Sequence, residues 1–329
     1  MLTARQNFLE TIRGGSPDRF VNQYEFLANQ IHPMFAHRND PKPGEENVVN
    51  DWGVTFSWRS DQPGAFPVHT PDKIVCTDIE SWRDFVTAPP AKFSEAEWEP
   101  FIAAAEGVDR SQQYVCAVMA PGISEMITHL CGMTEAMCTF YESPDDVADL
   151  IKYLTEYELA VAEDVCAHLK PDALLHHDDW GSSRSTFLAP DMFAEFFLEP
   201  YQEIYRFYRD HGVEIVVHHS DSYGATLVPY MIDMGIDVWQ GVLKSNDIPE
   251  LIKEYGGKIA FMGGIENSVV DQAGWTQEAI DAEVRAVCEA CGSRYFIPCC
   301  TSGAPGSAFP GVYEAISAAI DTCSKELFA

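Results

Sequence analysis

The sequence predicts an α/β protein, a (β/α)8 TIM barrel with an N-terminal excursion of loops and short strands over the mouth. Three observations predict it. From residue 173 onward, apolar strand-like runs and amphipathic helical runs alternate strictly, the pattern of parallel βα units. Each strand-like run turns polar at its C-terminal end, the end that carries function in such barrels. No G-x-G-x-x-G follows the first strand-like run, which removes the commonest reason for an open dinucleotide-binding sheet. The 329 residues contain no obvious linker, so residues 1–329 read as one barrel domain.

Taken in order, Thr3-x-x-Gln6 is a capping box that opens a helix with Phe8, Leu9 and Ile12 on one face, ended by Gly14-Gly15. Val21 to Leu27 reads as the first barrel strand. Ala36 to Pro90 is irregular and rich in Pro, Gly and Trp, including Asp51-Trp-Gly-Val54 and Gln62 to Val68. It reads as the excursion over the mouth, because structureless stretches of that length are usually functional. Ser94-x-x-Glu97 opens a helix, Tyr114 to Met119 is a strand, and Gly122 to Tyr141 a helix. Ser143-Pro144 opens a long helix with Val147, Leu150, Ile151 and Leu154 at helical spacing, stopped near Pro171. Strands then follow at Ala173, Ile215, Asp237, Ile259 and Tyr295. Helices run from Pro190 to Arg209, Thr226 to Met234, Ile248 to Tyr255, Thr276 to Cys291 and Tyr313 to Leu327.

Composition excludes several classes of function. Lys and Arg number 21 against 51 Asp and Glu, a net charge of −30. That charge repels nucleic acid and anionic membranes. No apolar run is long enough to span a bilayer, and the first ten residues lack the apolar core of a signal peptide. The expected location is the cytoplasm. The ten cysteines are scattered through mostly apolar surroundings, as buried thiols are in a reducing compartment. Cys288-x-x-Cys291 lies inside a helical pattern with no second pair nearby, and reads as packing.

The polar strand ends are Tyr24 and Glu25, His176 to Trp180, His219 and Asp221, Trp239 and Gln240, Glu266 and Asn267, and Cys299 and Cys300. In Ile215-Val-Val-His-His-Ser-Asp221 the side chains alternate, so His219 and Asp221 point one way and His218 and Ser220 the other. Imidazole, carboxylate and thiolate donors from separate strands suit a three-ligand zinc site with an open fourth position. His219, Asp221 and one of Cys299 and Cys300 are the expected ligands, with Glu266 as a spare oxygen donor.

These residues also carry a resemblance. Asp178-Asp-Trp-Gly181, Pro190-x-x-Phe193 with Pro200-Tyr201, His219-Ser-Asp-Ser-Tyr223, Met262-Gly-Gly-Ile265 and Pro298-Cys-Cys300 stand in an order and spacing that resembles the uroporphyrinogen decarboxylase superfamily, and more closely its corrinoid-dependent methyltransferase branch. The resemblance covers nearly the whole chain. It implies zinc on a His-x-Cys pair plus a later Cys, matched here by His219 and Cys300. Asp221 stands where the second ligand would be Cys. The decarboxylases of the superfamily bind a polycarboxylate with N-terminal arginines, whereas Val21 to Leu27 contains none.

The resemblance therefore implies corrinoid-dependent methyl transfer. Asp221 in place of a thiolate makes a harder ligand set that favours an oxygen leaving group, and the aromatic residues suit an aryl ring. The expected reaction therefore moves methyl from a small methoxylated, aromatic substrate to Co(I) of a corrinoid. No Asp-x-His-x-x-Gly occurs here, so the corrinoid is expected on a separate partner protein. Glu25, Asp178 or Asp179 would protonate or orient the leaving oxygen. Tyr24, His177, Trp180, Trp239 and Gln240 would contact substrate. The alternatives are methyl transfer from a cobamide to a thiol or tetrahydrofolate, and a metal-free lyase. A homodimer is compatible with this reading.

Overall fold

The computed structural model describes residues 1–60, 62 and 64–328. Asp61 and Pro63, which fall in the expected excursion, lie outside the described residues. Seven strands form one parallel sheet: β1 (Leu27–Ile31), β2 (Tyr114–Met119), β3 (Ala173–His177), β4 (Ile215–His219), β5 (Val238–Val242), β6 (Ala260–Ile265) and β7 (Phe296–Cys300). Their spatial order follows the sequence, and every neighbouring pair is parallel. Helices connect them, so the sheet curls into a TIM-like α/β architecture with all strand C-termini at one mouth. Seven staves stand where eight were expected, and among the described residues β7 does not pair with β1.

That open seam corrects the expected first strand. Residues 21–26 are not a strand, residues 23–26 form a turn, and β1 starts only at Leu27. Gln23 adopts a left-handed conformation (φ 51°), and Glu25 N–H donates to Asn22 O at 3.0 Å. The buried Gln23 amide bridges the seam where a ladder would run. Its Oε1 accepts from Cys300 N–H (3.2 Å), and its Nε2 donates to Tyr313 O and Ser317 Oγ on the closing helix (Val312–Leu327). Val21, Tyr24 and Phe26 are buried as a strand would bury them, so apolar content alone could not separate the two conformations.

The first helix, α1 (Ala4–Ile12), carries the expected capping box between Thr3 and Gln6. The helix expected over 122–141 is two, α2 (Ile123–Cys131) and Met133–Glu142. They break at Gly132, whose φ of 78° a residue with a side chain resists. Helix α3 is Pro144–Leu169. The run from Pro190 passes through a π-type turn (Ala194–Leu198) into α4 (Glu199–Asp210). Pro200 has no N–H for the preceding turn, and the wider turn absorbs the mismatch.

The excursion forms a small antiparallel sheet of Val48–Val49, Thr55–Ser57 and Phe66–Pro67. It is fastened to α2. Val75 and Cys76 N–H both donate to Leu130 O at 3.1 and 2.9 Å, and Phe56 meets the His129 ring edge-on at 5.3 Å. Among the described residues, no helix is long and apolar enough to cross a membrane.

Candidate metal centre

Strand alternation sorts the histidines of β3 and β4. His176 and His218 point outward to Tyr205 on α4, at 3.0 and 2.9 Å. His177 and His219 are register partners that point the other way, with ring centroids 4.3 Å apart. Asp179, two residues past β3, lies on their side. His177 Nε2 is 3.9 Å from Asp179 Oδ2, and His219 Nε2 is 3.9 Å from Asp179 Oδ1. One ligand atom from each of the three residues lies within 4.8 Å of the others. Zinc bonded at about 2.05 Å in a tetrahedron holds its ligands about 3.4 Å apart. The three need only close slightly around an ion.

The electrostatics suit a cation. Burial, and then the neighbouring His219, hold His177 well below the usual histidine range, so its imidazole is neutral. The His219 tautomer follows from its partner. Gln240 Nε2 donates to Cys300 O (3.1 Å) and Ser302 O (3.2 Å), which turns its Oε1 toward His219 Nδ1. His219 must then donate from Nδ1, leaving the Nε2 lone pair toward Asp179. An imidazole fixed through its far nitrogen is the usual outer support of a metal ligand. Gln240→Leu is expected to weaken metal binding roughly 10–100-fold with the fold intact, measured by competition with a chromophoric chelator. Gly303 lies against the same rings. An added Cβ would stand 2.9 Å from His177 Nδ1 and 3.0 Å from His219 Nε2.

Carboxylates crowd the group. Glu125, in the first turn of α2, places Oε2 3.5 Å from His177 Nε2. That oxygen is buried without a hydrogen-bond partner. Burial, with Asp179, Asp178 and Asp221 nearby, drives the Glu125 carboxyl well above the ordinary range. Asp221 stands at the rim, its N–H donating to Asp179 Oδ1 at 2.9 Å. Burial and Asp179 push its carboxyl up to about 6, against the pull of His219. A folded state with raised carboxyl pKa values binds protons that the unfolded chain has released. The stability of the metal-free protein therefore falls as pH rises from about 4 through 6. A bound cation relieves that repulsion. Zinc is expected to raise the melting temperature more at about pH 7.5 than at about pH 5, read by thermal denaturation at both.

The other expected site residues are placed as follows. Asp178 is fully buried and accepts from Ser124 N–H (2.9 Å), Glu125 N–H (2.7 Å), Trp180 Nε1–H (3.1 Å) and the Tyr201 hydroxyl. It caps α2 and thereby positions Glu125. Burial raises its carboxyl to about 7, against the donors that lower it. Trp180 is buried and stacked on His218 at 3.9 Å, and Trp239 is buried with its Nε1–H on Ser220 O. Tyr24 donates to Ser302 O at 2.7 Å. Glu25 accepts from Asn22 N–H and faces Arg19 at 3.5 Å, in the seam beside the closing helix.

Of the four expected ligands, His219 belongs to the group and Asp221 adjoins it. Cys300 Sγ lies 3.3 Å from Ser302 Oγ and is held below the usual thiol range by the Cys299 thiol that donates to it. Glu266 Oε1 accepts from Lys244 N–H at 2.9 Å. Neither Cys300 nor Glu266 is among the grouped donors. Glu125 was not singled out from the sequence. It lies in the first turn of α2, inside the run that the sequence reads as a helix, and so was not among the polar strand ends.

A TIM-like barrel with a His–Asp–His group at its C-terminal mouth defines a class of scaffold on which barrel enzymes build their sites. The family model for uroporphyrinogen decarboxylase (URO-D) matches residues 75–308, and the chain belongs to that family. Among solved structures, a methyltransferase from Methanosarcina mazei aligns over 100% of both chains with a TM-score of 0.66 at 15% identity, a likeness of fold. A D-psicose 3-epimerase from Clostridium cellulolyticum H10 covers 70% of this chain and 83% of its own, with a TM-score of 0.42 at 11% identity. A GH18 chitinase from Pseudoalteromonas aurantia covers 71% of this chain and 83% of its own, with a TM-score of 0.34 at 12% identity. No curated protein matches the sequence.

Proposed function

We propose that this protein is a zinc-dependent methyltransferase that moves a methyl group from a small methoxylated substrate to the Co(I) of a corrinoid carried by a separate protein. The observation that carries the reading is the His177–Asp179–His219 group at the barrel mouth, with the unpartnered Glu125 Oε2 beside it. A buried carboxylate oxygen without a partner needs a proton or a cation. Two imidazoles and one carboxylate would form a three-ligand set with room for a substrate oxygen.

Bound there, zinc supplies Lewis acidity at the oxygen from which the methyl leaves. Without a thiolate ligand the set donates little charge, which favours an oxygen leaving group over activation of a thiol. His177, Asp179 and His219 would hold the ion, and Gln240 fixes the His219 ring. Glu125, whose Oε2 lies 3.5 Å from His177 Nε2, stands beside the group as the acid placed to donate to the leaving oxygen. Asp178 orients Glu125 by capping α2.

The family is named for a decarboxylase, but this mouth gathers Glu125, Asp179 and Asp221 beside the histidines, and a polycarboxylate would meet like charge. The test is to mix the zinc-loaded protein with a Co(I) corrinoid protein and methoxylated aromatics, and to follow methyl-Co(III) by absorbance. Methylation of cobalt supports the reading. Methylation of an added thiol from methyl-Co(III), with no forward reaction across the panel, reverses the direction.

A further inference from the structure

Between the C-terminal ends of β1 and β2 lies a cavity of about 300 Å³. Helix α2 stands between it and the metal group: Met126 lines the cavity, while the preceding Glu125 faces His177. The walls are mainly apolar, formed by Met34, Trp52, Phe93, Met119, Pro121 and Met126. Such a volume takes one ring with a short substituent.

Two adjacent residues of α3 bring polar groups to it. The Tyr157 hydroxyl is buried without a hydrogen-bond partner, among Glu158, Arg38 and Asp51 of the cavity lining. Glu158 is held by a buried chain. Its Oε2 meets His176 Nε2 at 3.0 Å, His176 Nδ1 meets the Tyr205 hydroxyl at 3.0 Å, and that hydroxyl meets His218 Nδ1 at 2.9 Å. His218 Nε2 then donates to Asp178 O at 3.1 Å. No step of the proposed methyl transfer uses this chain. It fixes the orientation of one carboxyl at a cavity floor, as supporting groups do behind a binding residue.

Charge narrows the ligand. Arg38, paired with Asp40 at 2.5 Å, lines the cavity and opposes a cation. Glu158 and Asp51 line it too and oppose an anion. A neutral head meets neither objection.

We propose that this cavity binds a neutral, single-ring molecule of the phenol class, its hydroxyl accepting from Tyr157 and donating to Glu158. The binding stands on the cavity alone.

The test is titration calorimetry of the full chain with phenol, 2-methoxyphenol, toluene, benzoate and benzylammonium. One phenol or 2-methoxyphenol is expected per chain, at least about tenfold tighter than benzoate or benzylammonium. Tyr157→Phe is expected to weaken phenol about three- to tenfold and leave toluene unchanged. Met126→Trp fills the cavity and is expected to abolish binding of every ring, with the zinc stoichiometry unchanged. His219→Ala is expected to lose zinc and keep phenol, which separates a failure of the metal reading from a failure of this one. Tighter binding of benzoate or benzylammonium overturns the assignment. So does phenol binding indifferent to both cavity variants, or no phenol binding by protein with the native circular dichroism spectrum.

Discussion

Replacing His219 with alanine is expected to strip the protein of zinc and to lower methyl transfer by about three orders of magnitude or more, with melting behaviour close to that of the metal-free parent. The size follows from the geometry. His219 Nε2 faces Asp179 at 3.9 Å and is one of only three grouped donors. Losing one leaves two ligands, too few for a closed tetrahedral shell with one open position. Losing only the group that supports a ligand from behind costs about 10–100-fold in affinity, so losing a direct ligand costs more. Metal analysis after dialysis and a cobalt-methylation assay read the two effects separately. A His219→Ala protein that keeps one zinc per chain would place the ion elsewhere.

The second large effect is on stability. Asp178→Ala is expected to destabilise the fold by about 3–5 kcal/mol, as removal of a buried charged partner does, and to lower the melting temperature by roughly 4–7 °C. The carboxylate satisfies two N–H groups of α2, the Trp180 indole and the Tyr201 hydroxyl. An alanine orphans all four in a site with no solvent access. Asp178→Asn keeps the shape but puts an amide N–H₂ against donors, and is expected to recover only part of the loss. A change below about 1 kcal/mol for Asp178→Ala would show that water or a shifted side chain takes over the cap.

Much of this was legible in the sequence, for particular reasons. β3 to β7 were readable because strands buried on both faces are continuous apolar runs bounded by helical periodicity. The seam was not. Leu27-Ala-Asn-Gln-Ile31 lacks an apolar run, and the more apolar residues before it are buried in a turn held by the Gln23 side chain. Alternation along β4 separated His219 from His218, but the pairing of His177 with His219 was not read and follows from the register of β3 on β4. The same register leaves Asp179 on their face, although His177 was read as a substrate contact and Asp179 as an acid. Cys300 was chosen by resemblance, and its sulfur instead meets Cys299 and Ser302. Glu125 escaped notice because it starts a helix. Only the return of the β2 loop over Asp178 brings it to the histidines, and no local pattern encodes that return.

X-ray absorption at the zinc edge tests the central claim most directly. The account predicts one tightly held ion per chain with a shell of nitrogen and oxygen scatterers only, at about 2.0–2.1 Å, including two imidazoles. A sulfur scatterer at about 2.3 Å, or a protein that retains no zinc under conditions where it methylates cobalt, would contradict it.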